Sequence, residues 1–157
     1  MKRTVARELA ARLCFAISEN PSDPAELLER TFEEEYYSSL QPEDKLYKNR
    51  PDEKQLDYIT RLVTGISEHS AELDGYIDKY ASRWKFGRIS RTAVAIMKLA
   101  MFEVLYMPDI PDRAAINEAV ELSKRYEKPE TVSFINGVLG SFSRAEVIGE
   151  DTAYAQK

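Results

Sequence analysis

The chain has 157 residues, of which 43% are hydrophobic and 31% charged, and its formal net charge is −5. This composition excludes an intrinsically disordered chain and is sufficient for one domain with its own core. The single cysteine, Cys14, excludes an intramolecular disulfide framework and a multi-cysteine metal site. The sequence has neither a signal-peptide pattern nor the ~20 consecutive apolar residues of a transmembrane helix. A soluble, cytoplasmic protein without membrane association is therefore expected.

Positive charge is concentrated in two segments although the total is negative. The first segment, residues 2–12, has four basic residues: Lys2, Arg3, Arg7 and Arg12. The second, residues 79–102, has six basic residues and no acidic one. Local basic patches matter more for nucleic-acid binding than the total charge does, although segregated charge is also common on solvated helices. The pattern is compatible with a polyanionic partner and does not by itself require one.

The periodicity predicts an all-α fold of seven helices, of which the first covers about residues 2–19. Its apolar arc has five members: Val5, Leu9, Leu13, Ala16 and Ile17. Arg3 and Arg7 are expected together on one flank of this arc, and Arg12 on the other. The second helix is predicted to begin at Pro24 after an Asp23 N-cap and to continue through Tyr37.

Residues 41–50 have no helical period and are interpreted as a loop, and the third helix follows over about residues 51–68. The four later helices each have a start signal: Ser70, Ser90, Asp112 and Pro129. The fifth helix, about residues 90–106, is apolar on most faces and is expected to be the central one. Residues 1–145 are predicted to form a single domain, within which the first three helices and the later ones can form two compact halves. Residues 146–157 are predicted to be a flexible tail.

No pattern of catalytic residues or cofactor-binding motifs stands out, so a protein without enzymatic activity, cofactor or metal is expected. His69 lies at a helix junction and is interpreted as a surface or capping residue. Cys14 is interpreted as a small core residue. Phe134, near the start of the seventh helix, leaves two alternatives open: it packs in the core, or it presents a ring on which an unpaired base stacks.

Three segments of the second half resemble the NusB family of bacterial transcription antitermination factors. They are RISRTAVAIMKLAMFEVLY (88–106), IPDRAAINEAVELSKRYE (110–127) and SFINGVL (133–139). The N-terminal ARELAARLCF (6–15) matches more loosely, and the resemblance extends over about residues 2–143. It implies seven helices in two roughly perpendicular helical bundles.

The resemblance also implies a function. NusB-like proteins bind the boxA element of ribosomal RNA leader transcripts together with the ribosomal protein NusE, and the pair joins an antitermination complex on RNA polymerase. Carried over to this chain, the RNA-binding residues are Lys2, Arg3, Arg7, Arg12 and Phe134. The residues expected to face the protein partner are Phe15, Arg91 and Glu130.

Two other functions are compatible with the sequence. NusB-like domains also occur fused to ribosomal RNA cytosine methyltransferases, so the chain could be an accessory to such an enzyme. It could also be a purely protein-binding helical module, including a homodimer that hides its RNA-binding face.

Overall fold

The computed structural model describes residues 1–82 and 88–147, and these residues form helices joined by turns and loops, without β-strands. The predicted all-α class is therefore confirmed. The chain divides between Glu68 and His69 into two compact units, which is the position of the predicted break before Ser70. The perpendicular arrangement of two bundles stays a prediction. Two ranges lie outside the described residues: 83–87, which includes Arg83 and Lys85 of the second basic segment, and 148–157 of the predicted tail.

The described residues contain eight α-helices instead of the predicted seven. Four lie in the first unit: α1 (Arg3–Glu19), α2 (Pro24–Thr31), α3 (Glu34–Leu40) and α4 (Glu53–Glu68). A short 3-10 helix, Lys45–Tyr47, interrupts the predicted loop. The core of this unit forms where α1 packs along α4.

The predicted second helix is wrong because the chain breaks it into α2 and α3. Asp23 caps α2 as predicted, since its carboxylate accepts a hydrogen bond from the Ala25 amide. At the break, the Glu33 carboxylate accepts hydrogen bonds from the amides of Glu35 and Tyr36 and so caps α3. Glutamate is not among the residues preferred at an N-cap, so the sequence pattern did not indicate this second start.

The buried face of α1 is wider than the predicted arc and is rotated around the helix. Leu9 and Leu13 are buried as predicted, whereas Ala16 is exposed. The face that packs inward also includes four small residues: Ala6, Ala10, Ala11 and Cys14. Small side chains permit close approach of another helix, so this face is buried although its hydrophobicity is modest. As a consequence Arg7, predicted at the flank, is itself buried.

The second unit contains α5 (Ser70–Ala81), α6 (Arg91–Tyr106), α7 (Asp112–Ser123) and α8 (Pro129–Phe142), followed by a π-helical turn, Ser143–Val147. Helix α6 packs against α5, α7 and α8. It is therefore the central helix of this unit, as its nearly all-round apolar pattern predicts.

The predicted start signals of the second unit are confirmed in part. The Ser90 hydroxyl accepts a hydrogen bond from the Ala93 amide and caps α6. Ser70 and Asp112 are the first helical residues of α5 and α7, so neither is the N-cap that the sequence suggested. Among the described residues, every helix is too short or too polar to cross a lipid bilayer.

Candidate nucleic-acid interface

The first turns of α1 hold two arginines against one aromatic ring of α4. The guanidinium carbon of Arg3 lies 4.0 Å from the centre of the Tyr58 ring, and that of Arg7 lies 5.7 Å from it. Arg3 also donates a hydrogen bond from Nε to Oε1 of Gln55, at 3.2 Å. A guanidinium placed over a ring is attracted by the negative face of the π-system, which fixes its orientation. Helical spacing thus brings these two arginines together, as predicted.

The two arginines differ in their access to a ligand. Arg3 is only partly buried, and because a guanidinium has five N–H donors, it keeps donors beyond the one used by Gln55. Arg7 is 4% exposed, so its side chain offers little surface to a phosphate. Lys2, the residue before α1, is exposed. Of Lys2, Arg3 and Arg7, the first two are therefore accessible in this structure.

Arg12 lies on another side of α1 and is bound to two carboxylates. Its Nη2 lies 2.8 Å from Oδ2 of Asp44 and 3.7 Å from Oε2 of Glu8. Its guanidinium carbon is 5.9 Å from the centre of the Tyr47 ring. Asp44 also accepts a hydrogen bond from the Leu46 amide and is the N-cap of the 3-10 helix. Arg12 thus joins α1 to the segment that the sequence left as a loop.

That segment brings two basic residues that sequence reasoning missed to the N-terminus of α1. Lys45 and Lys48 line a groove of about 430 Å³ together with Lys2. The other lining residues are Met1, Val5, Leu46 and Asn49. The sequence signal for these lysines is the composition of QPEDKLYKNR (41–50), which has three basic side chains, but the groove itself depends on contacts between residues distant in the chain. We call it the lysine groove.

Phe134 is placed in α8 of the second unit and is 1% exposed. Of the two alternatives that the sequence left open, the structure has the ring packed inside the protein. Stacking of a base on this ring stays a prediction, and it would require the side chain to leave its present position. Helix α8 is continuous through Asn136 and Gly137, so this pair does not form a turn.

The three residues predicted to face a protein partner have different exposures. Phe15, in α1, is half-buried, whereas Arg91 and Glu130 are exposed. Arg91 is the first residue of α6, and Glu130 lies in the first turn of α8. Lys98, which shares a helical stripe with Arg91, is bound to α5: its Nζ lies 2.8 Å from Oδ1 of Asp74.

A second polar cluster surrounds the only histidine of the sequence, at the start of α5. The rings of His69 and Tyr106 stack with their centres 4.2 Å apart. The Tyr106 hydroxyl donates to Oε1 of Glu72 at 2.5 Å, and this hydrogen bond to a carboxylate, helped by burial, raises the pKa of Tyr106 to about 12. No group of three or more potential metal ligands occurs among the described residues.

The sequence as a whole matches one protein family. The family model described as the NusB family matches residues 4–144. The chain belongs to the NusB family. The matched segment begins at Thr4, so Lys2 and Arg3 lie just outside it.

Individual NusB proteins are similar to this chain along nearly their whole length. "Transcription antitermination protein NusB" of Clostridium novyi is 32% identical over 145 residues, covering 92% of this chain and all of that protein. The proteins with the same name from Acetivibrio thermocellus and Clostridium kluyveri are 35% and 36% identical, covering 96% and 94% of this chain and 94% and 99% of their own lengths. A solved structure of NusB from T. maritima superposes with a TM-score of 0.73 at 26% identity, covering 92% of each chain. The predicted resemblance is therefore confirmed.

Proposed function

We propose that this protein is a non-catalytic transcription antitermination factor that binds the boxA element of ribosomal RNA leader transcripts together with the ribosomal protein NusE. The complex would act on RNA polymerase in the cytoplasm. The observation that carries the proposal is the match to the NusB family over residues 4–144. The accessible basic residues at the start of α1 support an RNA ligand, since phosphate contacts need cations that extend from a rigid element.

In this proposal Lys2 and Arg3 contact RNA phosphates directly. Arg3 is oriented by the Tyr58 ring and by Gln55, so little side-chain entropy is lost when its remaining N–H groups bind a phosphate. Arg7 is buried and packs beside the same ring, so it supports the position of Arg3 and does not contact RNA itself. Arg12 acts through its ion pair with Asp44, which holds the 3-10 helix in place.

The protein partner is proposed to use a separate set of side chains. Phe15 has enough exposed ring for an apolar contact, and Arg91 and Glu130 supply one charge of each sign at the starts of α6 and α8. Aromatic residues and arginine are enriched at the energetically important positions of protein interfaces. Phe134 supports the first turns of α8 from inside, and with it the position of Glu130.

The proposal is tested by measuring the affinity for a boxA RNA and for a scrambled RNA of the same composition, each with and without NusE. Tighter binding of boxA than of the scrambled RNA, and a further gain with NusE, are expected. The double variant Lys2→Gln/Arg3→Gln is expected to weaken binding of both RNAs. The matched control Arg30→Gln/Lys54→Gln removes two charges from exposed positions of α2 and α4. It is expected to keep RNA affinity within about twofold of wild type, because these charges attract RNA only at long range and salt screens that attraction.

Equal affinity for boxA and the scrambled RNA, in the presence of NusE, would reject the proposed function. Light scattering during size-exclusion chromatography supplies a second criterion. A stable homodimer would favour the purely protein-binding alternative if it neither binds RNA and NusE nor dissociates when they are added.

A further inference from the structure

We infer that the lysine groove binds the phosphate backbone of single-stranded RNA, independently of base sequence, beside the contacts proposed for Arg3. The inference rests on the proposed function in that it takes RNA as the ligand, and it adds Lys45 and Lys48 to the interface. Neither residue belongs to the first basic segment, residues 2–12, and the groove joins them to Lys2 of that segment.

The positive charge of the groove favours the binding of phosphate. Three of its seven lining residues are lysines, and the lining contains no carboxylate among the residues that the structure describes. The carboxylate next to Lys45 in sequence, Asp44, is bound by Arg12 at 2.8 Å and by the Leu46 amide at 2.9 Å. Because the negative charge of Asp44 is already paired with a guanidinium, the positive potential of the lysines is less opposed.

Four contacts hold the backbone that carries Lys45 and Lys48. Arg12 holds the N-cap of the 3-10 helix through Asp44. The hydroxyl of Tyr37 donates to the carbonyl oxygen of Asn49 at 2.8 Å.

Two further contacts complete this support. Nε2 of Gln41 donates to the carbonyl oxygen of Lys48 at 3.2 Å. Leu46, the middle residue of the 3-10 helix, is 7% exposed and anchors it in the first unit. A cation on an already ordered backbone binds an anion with a smaller entropic cost than one on a flexible loop.

The lining favours phosphates over bases as the bound groups. Lysine ammonium groups are compact point charges that bind phosphate oxygens without the planar geometry that reads a base edge. The described lining residues include no aromatic ring on which a base could stack. Contacts of this kind set affinity and position on the RNA, and they carry no sequence information.

The groove is tested with oligouridine, a single-stranded RNA without a boxA sequence, and with Lys45→Gln/Lys48→Gln. Affinity is measured over a series of salt concentrations, because each phosphate neutralised on a single strand contributes about −0.7 to the slope of log K against log salt. The double variant is expected to reduce the magnitude of this slope by about 1.4 if each lysine neutralises one phosphate. Arg30→Gln/Lys54→Gln, with the same change in net charge, is expected to keep the wild-type slope.

Thermal unfolding of all three proteins identifies an effect of the substitutions on folding. If Lys45→Gln/Lys48→Gln unfolds like the wild type and keeps its salt slope, the groove does not bind RNA phosphates and the inference is wrong. A loss of NusE binding in the absence of RNA, with an unchanged oligouridine slope, would also overturn it, because the groove would then be a protein-binding surface.

Failure of this inference is distinguishable from failure of the proposed function. The ratio of boxA to scrambled affinity tests the function, and the groove predicts that this ratio is the same in Lys45→Gln/Lys48→Gln and in the wild type, since both RNAs lose the same phosphate contacts. A wild-type protein without boxA preference, whose oligouridine slope still falls in the double variant, would reject the function and keep the groove.

Discussion

Arg12 of α1 and Asp44, the N-cap of the 3-10 helix, form an ion pair of 2.8 Å across 32 residues of sequence. About a third of each side chain is exposed, 34% for Arg12 and 39% for Asp44, so solvent screens their attraction and we expect a coupling of about 0.5 kcal/mol in a double-mutant cycle. The pair also has a geometric consequence, because Asp44 directly precedes Lys45 and is the N-cap of the 3-10 helix.

The substitution Asp44→Asn distinguishes two roles of Arg12. Asparagine caps a helix about as well as aspartate, so the 3-10 helix keeps its cap while the ion pair is lost. If Arg12 positions the lysines, Asp44→Asn weakens oligouridine binding although it removes a negative charge from the surface. If Arg12 instead binds a phosphate itself, releasing it from Asp44 strengthens binding. We expect the first result, and Glu43→Asn, which removes the adjacent exposed acid, is the matched control.

Phe134 provides a prediction that separates packing from base stacking. Phe134→Ala is expected to lower the free energy of unfolding by about 3 to 5 kcal/mol, as other large buried aromatic residues do. Phe134→Leu retains most of the volume and is expected to cost under about 1.5 kcal/mol. Because the ring is 1% exposed, we expect boxA affinity in Phe134→Leu to stay within about twofold of wild type. The loss of a base stack would cost roughly 1 to 3 kcal/mol of binding free energy, which is more than a twofold change.

Filter binding measures the boxA affinity of these variants, and chemical denaturation measures their free energy of unfolding. A tenfold or larger loss of boxA affinity in a well-folded Phe134→Leu protein would mean that the ring leaves the core and stacks on a base. Phe142→Leu is a suitable control, since Phe142 is also fully buried in α8 and packs on Tyr76.

The shape of the Arg3 side chain, and not only its charge, is predicted to matter. Arg3→Lys keeps the positive charge but loses the flat guanidinium over Tyr58 and the hydrogen bond to Gln55. We expect a loss of about 0.5 to 1 kcal/mol in unfolding free energy and a several-fold weaker RNA affinity with an unchanged salt slope. Arg30→Lys, at an exposed position of α2, should change neither quantity. Wild-type affinity in Arg3→Lys would contradict the oriented contact.

The sequence predicted most of the helices because their signals are local. Asp23 and Ser90 are short polar residues directly before apolar helical patterns, and both cap helices as expected. The break between α2 and α3 escaped prediction because its cap, Glu33, is a residue type common inside helices. The order and the approximate bounds of the other helices followed from the 3.6-residue period together with local start signals.

The candidate site was less predictable because its features depend on tertiary contacts. The burial of Arg7 follows from α1 packing its alanine-rich side against α4, whereas the predicted apolar arc placed Arg7 at its flank. The lysine groove requires Arg12 to reach Asp44 and Tyr37 to reach Asn49. Residues 41–50 have no period of their own, so their sequence gives no indication of these contacts.

The hydrogen bond between Tyr106 and Glu72 predicts a pH dependence in the second unit. The neutral phenol donates to the carboxylate, and its pKa is raised from the ordinary value of 10.0 to about 12. Because the folded pKa lies above the unfolded one, the stabilisation from this bond is fully present below pH 10 and is lost as the pH rises through about 12. Deprotonation would place a phenolate beside a carboxylate, so the free energy of unfolding should fall more steeply with pH between 10 and about 12.

The titration of Tyr106 is isolated as the difference in tyrosinate absorbance between wild type and Tyr106→Phe. In Glu72→Gln the acceptor loses its charge, and the midpoint should fall toward 10, the ordinary value. Asp78→Asn removes an exposed acid from the same helix and should leave the midpoint near 12. A wild-type midpoint close to 10 would contradict the hydrogen bond, because this bond to Glu72 is the largest of the effects that raise the pKa of Tyr106.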